Sequence, residues 1–388
     1  MGLLRWRIVA LAAAIVALLA GGAWFALTGA SAQGQGKDAP AHQAAAKPAH
    51  QAQVQPESVV SVTPAPHSQG VNGAGPVQVV FSAPLAADSP MPTLTPAIDG
   101  SWQRVSPTTV QFVPAQGYTE QTHVRLVIPA GPSGVRSASG GLLAAQVVNK
   151  FWTGSYSTLR LEQLLAQLGY LPLTWMPVTR NVPVAASSAN AQLSAAYSPP
   201  PGTFSWQPGY PSELHNFWRP GQPSLILTGA VMTFEFDHGM AMDGDAGSGV
   251  WHALLAAVAA GATSRHGYTY ALASQAVPET LTVWHNGRVI LRTLANTGIS
   301  AAPTTIGTAP VYLRYTFQIM KGTNPDGSKY ADPVSWVSYF RSGEAVHFFP
   351  RGSYGYPQSL GCVELPLDQA HYIWPYMTYG TLVTVTAR

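Results

Sequence analysis

The chain has 388 residues, with 20 Lys+Arg against 17 Asp+Glu, and only 10 % of it is charged, against about 25 % in an average soluble domain. A net charge of +3 without any Lys/Arg cluster excludes a nucleic-acid binder. The single cysteine excludes an internal disulfide framework, a Cys-based zinc knuckle and an iron–sulfur site, while 37 Gly and 33 Pro point to loop-rich β structure in several domains.

At the N-terminus, Arg5 and Arg7 precede an uncharged, mostly apolar run from Ile8 to Ala30. That run is long enough for a helix to cross ~30 Å of hydrocarbon, and the arginines favour a cytoplasmic N-terminus. Residues 1–30 therefore read as a single-pass membrane anchor, with the body on the cell-wall side. The alternative is a signal-peptidase site at Ala30-Ser31-Ala32, which makes the chain secreted. Residues 31–66 are Ala, Gln, Pro, Gly and His with almost no large apolar residue, and read as a disordered linker.

Residues 67–152 carry period-two runs at Val77/Val79/Phe81, Val110/Phe112 and Val124/Leu126/Ile128, broken by Asp99-Gly100 and Gln116-Gly117. This pattern fits a small β-sandwich and resembles the bacterial Ig-like modules of exported enzymes. From Leu159 the period becomes helical: Leu161, Leu164, Leu165 and Leu168 share a face, and Gly169-Tyr170-Leu171-Pro172 stops the helix. Further helices are expected at Leu225–Phe236 and Val250–Leu255. The segments "LRLEQLLAQLGYLP", "GAVMTFEFDHGMAMDGDAG" and "GVWHALLAAV" resemble a peptidoglycan-binding three-helix module, so residues 153–265 read as a small helical domain with a Pro-rich insertion at 181–223. The Asp243-Gly244-Asp245 stretch fails the calcium-loop test, with Ser248 where Gly is needed and Leu254 where Glu is needed.

Residues 278–388 return to β. Leu281–Trp284 and Val289–Leu291 flank an Asn286-Gly287 turn and read as a hairpin. Val311–Met320, Trp336–Phe340 and Thr381–Val385 read as strands, and Leu367 to about Met377 as a helix. Within this domain His347 stands fifteen residues before Cys362, the intervening Arg351–Pro357 being turn-rich. A thiol is nucleophilic as thiolate, and an adjacent imidazole lowers its pKa, so Cys362 is expected ionised beside His347. Gly361 would let the backbone approach an acyl group closely, and the amides of Gly361 and Cys362 are the expected oxyanion donors. No H-E-x-x-H or G-x-S-x-G pattern supports a metal or serine hydrolase, and no metal or organic cofactor is expected.

The stretch "HFFPRGSYGYPQSLGCVELP", with "NTG…PTTIGTAPVYL" before it and "GTLVTV" after it, resembles the L,D-transpeptidase catalytic domain. The resemblance implies a mostly antiparallel β fold, Cys362 as nucleophile and His347 as base, with Ser359, Leu360, Gly361 and Tyr354 lining the site. It also implies peptidoglycan stem peptides as donor and amine acceptor. Leu360 stands where the family usually has His, Phe348 where Gly commonly follows the first His, and Glu364 where Arg or Asn is commoner. A glutamate has the wrong charge to bind a substrate carboxylate. The fold class expected is thus a β-rich multidomain chain: membrane helix, Ig-like sandwich, helical module and L,D-transpeptidase domain. A catalytically degenerate wall-binding protein and a thiol carboxypeptidase or endopeptidase remain as alternatives.

Overall fold

The structure, a computed structural model, describes residues 54–178 and 188–387; the expected anchor, and the linker up to residue 53, lie outside them. Among the described residues no helix is long and apolar enough to cross a membrane. Gln53–Arg388 forms one compact unit.

The first part is a two-sheet sandwich. One sheet is ordered β1-β2-β5-β4, from Val59–Thr63, Val77–Phe81, Thr109–Pro114 and Gly100–Ser106. The other is β3-β6-β7, from Thr93–Thr95, His123–Ile128 and Val147–Trp152. Inward residues Val79, Val110, Val124, Leu126, Ile128 and Phe151 close the core between them. Strand β1 lies inside the segment expected to be a disordered linker. Its β-branched run Val59-Val60-Ser61-Val62-Thr63 pairs antiparallel with β2, and the Glu57 carboxylate accepts from Ser82 Oγ (2.7 Å) and Ala83 N (3.1 Å). Order therefore begins before residue 67.

Helices α1 (Thr158–Gln167), α2 (Ala189–Tyr197), α3 (Ser212–His215), α4 (Leu225–Asp237) and α5 (Ser248–Ala259) follow, with β8 (Leu173–Pro177) and β9 (Gly202–Trp206) as a two-stranded ribbon. The stop signal after α1 works as a left-handed cap. Gly169 has φ +82°, and Tyr170 N–H donates to Leu165 O at 2.9 Å. The described part of the 181–223 insertion is not a bare loop: it forms α2, β9 and α3 and sends Ala196, Tyr210, Leu214 and Trp218 into the helical core. Helix α4 is apolar nearly all round, as a helix covered on every side must be. It lies against the following domain so closely that a Cβ on Gly229 would sit 2.4 Å from Gly380 O, and Thr233 Oγ1 donates to Tyr379 O at 2.9 Å.

That last domain starts earlier than the sequence pattern suggests. β10 (Thr269–Ser274) precedes the expected boundary at Pro278 and sits inside the sheet β12-β11-β10-β18-β13, with β11 Thr280–His285, β12 Arg288–Leu294, β13 Gly307–Pro310 and β18 Leu382–Thr386. The Asn286-Gly287 turn has both φ values positive, +47° and +74°, as a two-residue hairpin of right-handed strands requires. A second sheet, β14-β15-β16-β17, holds Leu313–Thr323, Lys329–Arg341, Glu344–Phe348 and Val363–Leu365, and α6 (Leu367–Ile373) packs on one face of it. Pairing is antiparallel except for β10 with β18 and β16 with β17.

Candidate active site

The parallel pair β16/β17 places Val346 beside Val363, His347 beside Glu364 and Phe348 beside Leu365. Alternate strand residues face opposite sides. Val346, Val363 and Leu365 go to the core with Ala370 and Ile373 of α6. Cys362, His347 and Glu364 go to the other side, where they line a cleft of about 230 Å³. Parallel neighbours need a crossover of a dozen or so residues, and the loop 349–362 supplies it. Beyond the Ser335–Phe348 pair the β14/β15 hairpin has no third strand among the described residues, and Met320, Tyr330, Asp332 and Val334 of that arm add to the cleft wall.

His347 is 3 % exposed, and its Nδ1 lies 2.9 Å from Phe348 O. A carbonyl oxygen only accepts, so Nδ1 carries the hydrogen and Nε2 keeps its lone pair. Because the orienting acceptor is main chain, the residue type at 348 does not matter to it, and Phe348 in place of glycine leaves it intact. Cys362 is 8 % exposed; its Sγ donates to Gly343 O at 3.6 Å. Burial pushes the thiol up to about 12, against the pull of the Ala345 hydrogen bond, with the charges of Glu364 and Glu344 adding to the rise. Burial also holds the imidazole below its ordinary value, opposed by the Phe348 carbonyl and Glu364. The resting pair is therefore neutral thiol and neutral imidazole. The ionised thiol expected from sequence does not hold, because desolvation outweighs every favourable contact at the sulfur.

The turn before the thiol is braced internally. Ser359, 1 % exposed, donates from Oγ to Cys362 O at 2.6 Å and accepts from Gly361 N at 3.1 Å. Gly361 has φ +117°, a conformation that L side chains avoid. With its N–H taken by Ser359, Gly361 does not offer the oxyanion donor expected of it. Ser359 braces the turn rather than lining the cleft, whereas Leu360, 36 % exposed, does line it. Tyr354 is tied back into the loop by donating to Phe349 O at 2.7 Å, and is not among the cleft-lining residues. The structure thus brings Cys362, His347 and Leu360 together and gives Ser359, Gly361 and Tyr354 to the loop that carries them.

Arg351, Asn296 and Glu279, to which the sequence pattern assigns no role, complete the site. Arg351 forks onto Glu364, Nε to Oε2 and Nη2 to Oε1, both at 2.8 Å. Asn296 exchanges both main-chain hydrogen bonds with Glu364, and its Oδ1 accepts from Gly355 N at 3.0 Å. Glu279, fully buried, accepts from Thr297 N (2.6 Å) and Thr297 Oγ1 (2.8 Å), fixing the segment that borders β17. Among the described residues no group of His, Cys, Asp and Glu is arranged to hold a metal ion.

Residues 269–385 match the family model of the L,D-transpeptidase catalytic domain. The C-terminal domain is an L,D-transpeptidase domain. It is preceded by a match to the bacterial Ig-like domain over residues 53–158. No curated protein matches the chain. Similar solved structures include an L,D-transpeptidase from Mycobacterium smegmatis (14 % identity, 86 % of this chain and 100 % of that one, TM-score 0.29). Others are L,D-transpeptidase 3 from Mycobacterium tuberculosis (16 %, 85 % and 98 %, TM-score 0.28) and the catalytic domain of an E. faecium L,D-transpeptidase (26 %, 30 % and 96 %, TM-score 0.29). At those scores the family match, not the superposition, carries the assignment.

In this L,D-transpeptidase domain the unusual Glu364 is not a bare negative charge near Cys362. It is neutralised by Arg351, thirteen positions earlier, a pairing that only the fold reveals.

Proposed function

We propose that the protein is a cell-wall L,D-transpeptidase that forms a Cys362 thioester with a peptidoglycan stem peptide and passes the acyl group to an amine acceptor. The observation that supports this reading is that His347 and Cys362 line one cleft, with Nδ1 committed to Phe348 O so that Nε2 is the basic atom. As Sγ attacks the donor carbonyl carbon, its proton passes to Nε2. The amide C–N bond breaks, and the leaving amine takes that proton from His347. The acceptor amine then attacks the thioester and gives its proton to Nε2, the new amide forms, and the thiol is regenerated. With Gly361 N–H committed to Ser359, the Cys362 N–H is the donor left at the turn for the oxyanion.

The N-terminal Ile8–Ala30 run supports a membrane-anchored, extracytoplasmic location, which suits a polymer substrate outside the membrane. The test is incubation of purified protein with a donor stem tetrapeptide, with and without a second stem peptide carrying a free amine. A new amide product that requires the acceptor and vanishes in Cys362→Ala supports transfer. Hydrolysed donor alone, unchanged by acceptor, overturns it in favour of a carboxypeptidase.

A further inference from the structure

Arg351 and Glu364 are the charged pair within the cleft that the proposed Cys–His chemistry does not use. Arg351 stands near the start of the 349–362 loop. Its Nη2 donates to Gln358 O at 3.0 Å as well as to Glu364, and its guanidinium lies 4.7 Å from the centre of the Phe349 ring. One side chain thus spans the loop start, the residue before Ser359, and β17. Planar two-point pairing of this kind fixes geometry as well as charge. Glu364 is the register partner of His347 and lies on the same side of the sheet.

We propose that Arg351 and Glu364 form a positioning pair for the reaction proposed above: a balanced charge couple that fixes the loop carrying Cys362 and sets the surroundings in which His347 takes up and returns its proton. The proposal rests on that functional reading. The charged and titratable groups around His347 are Glu364 on β17, Arg351 on the loop, Asp332 and Tyr330 on the β15 arm, and the Cys362 thiol. On the opposite face α6 sends Ala370 and Ile373 into the core. Glu364 and Asp332 favour the imidazolium, while Arg351 opposes it. Loss of either member of the pair therefore acts on His347 in opposite senses. Without Arg351 the buried Glu364 is uncompensated and the imidazole binds its proton more tightly; without the Glu364 charge the guanidinium is uncompensated and the imidazole binds its proton more weakly.

The experiment is the pH profile of acyl transfer for wild type, Arg351→Gln, Glu364→Gln and the double variant, alongside histidine-ring NMR titration with His347 assigned through His347→Gln. The acid limb, and the ring titration with it, should move up in Arg351→Gln and down in Glu364→Gln, each by roughly 0.5–1 pH unit. In the neutral double variant both should return close to wild type although its loop is less firmly held. Arg351→Lys, which keeps the charge and loses the fork, should leave the limb in place and lower kcat. Unmoved limbs, or limbs moved the same way in both single variants, overturn the pair's role, since a purely structural loss has no sign. If wild type transfers nothing, the functional reading falls, and the ring titrations still decide the electrostatic balance.

Discussion

With the Cys362 thiol and the His347 imidazole both neutral at rest, the proposed transfer moves the thiol proton when the substrate carbonyl arrives, rather than before. Two pH dependences separate this from a pre-formed ion pair. Below the thiol's value of about 12 the thiolate fraction rises tenfold per pH unit. Alkylation of Cys362 by iodoacetamide should therefore be slow at neutral pH and climb steadily through the alkaline range; a plateau near neutrality would contradict the neutral resting state. The proposed acyl transfer needs neutral His347, whose pKa is depressed, so its acid limb should fall below the ordinary imidazole value of about 6.5. Ser359→Ala removes the acceptor of Gly361 N–H and the donor to Cys362 O together. It should cost about 1–3 kcal/mol in urea unfolding and slow Cys362 acylation, because buried polar groups lose their partners.

The scaffold segments matter as much as the cleft. Asn296-Thr297-Gly298 borders β17, and Glu279 holds Thr297 from beneath. Glu279→Ala strands the Thr297 N–H in a buried site and should destabilise by about 1–3 kcal/mol. Hydrogen exchange should then rise at 296–298 and across the 355–364 loop; unchanged protection there would show that Glu279 does not hold the loop. None of this was legible in the residue pattern, since a lone Glu before a strand carries no periodicity and its partner lies 18 positions away. The alternation of Val77/Val79/Phe81, the leucine spacing of α1 and the Asn286-Gly287 turn were legible, because each is a local pattern repeated over one element. So was the meeting of His347 and Cys362 on one cleft, through the turn-rich loop between them. The ordered β1 was missed because the Ala/Gln/Pro composition upstream masked a five-residue β-branched run.

Across the molecule, the helical layer and the β12-β11-β10-β18-β13 sheet of the last domain share one core. Ile226, Val231 and Phe234 of α4 meet Tyr268, Tyr270, Trp284 and Leu382 of the last domain. A domain boundary drawn from composition at Pro278 cuts off β10, the strand between β11 and β18. A fragment of residues 278–388 should accordingly fail to fold, while one of residues 153–388 should unfold in a single calorimetric transition. Two separate transitions in the longer fragment would contradict a shared core. Gly229→Ala tests the joint locally. Its Cβ would press on Gly380 O, so α4 must back away at a cost of about 1–3 kcal/mol, read as a lower unfolding midpoint.

In the proposed reaction Cys362 is acylated with His347 as its proton acceptor. Acid-quenched tandem mass spectrometry after mixing with a stem tetrapeptide tests it most directly. A thioester mapped to Cys362 in wild type, and strongly diminished in folded His347→Gln, is the predicted result. An unmodified Cys362 in folded wild type, or equal acylation in the two proteins, would contradict it.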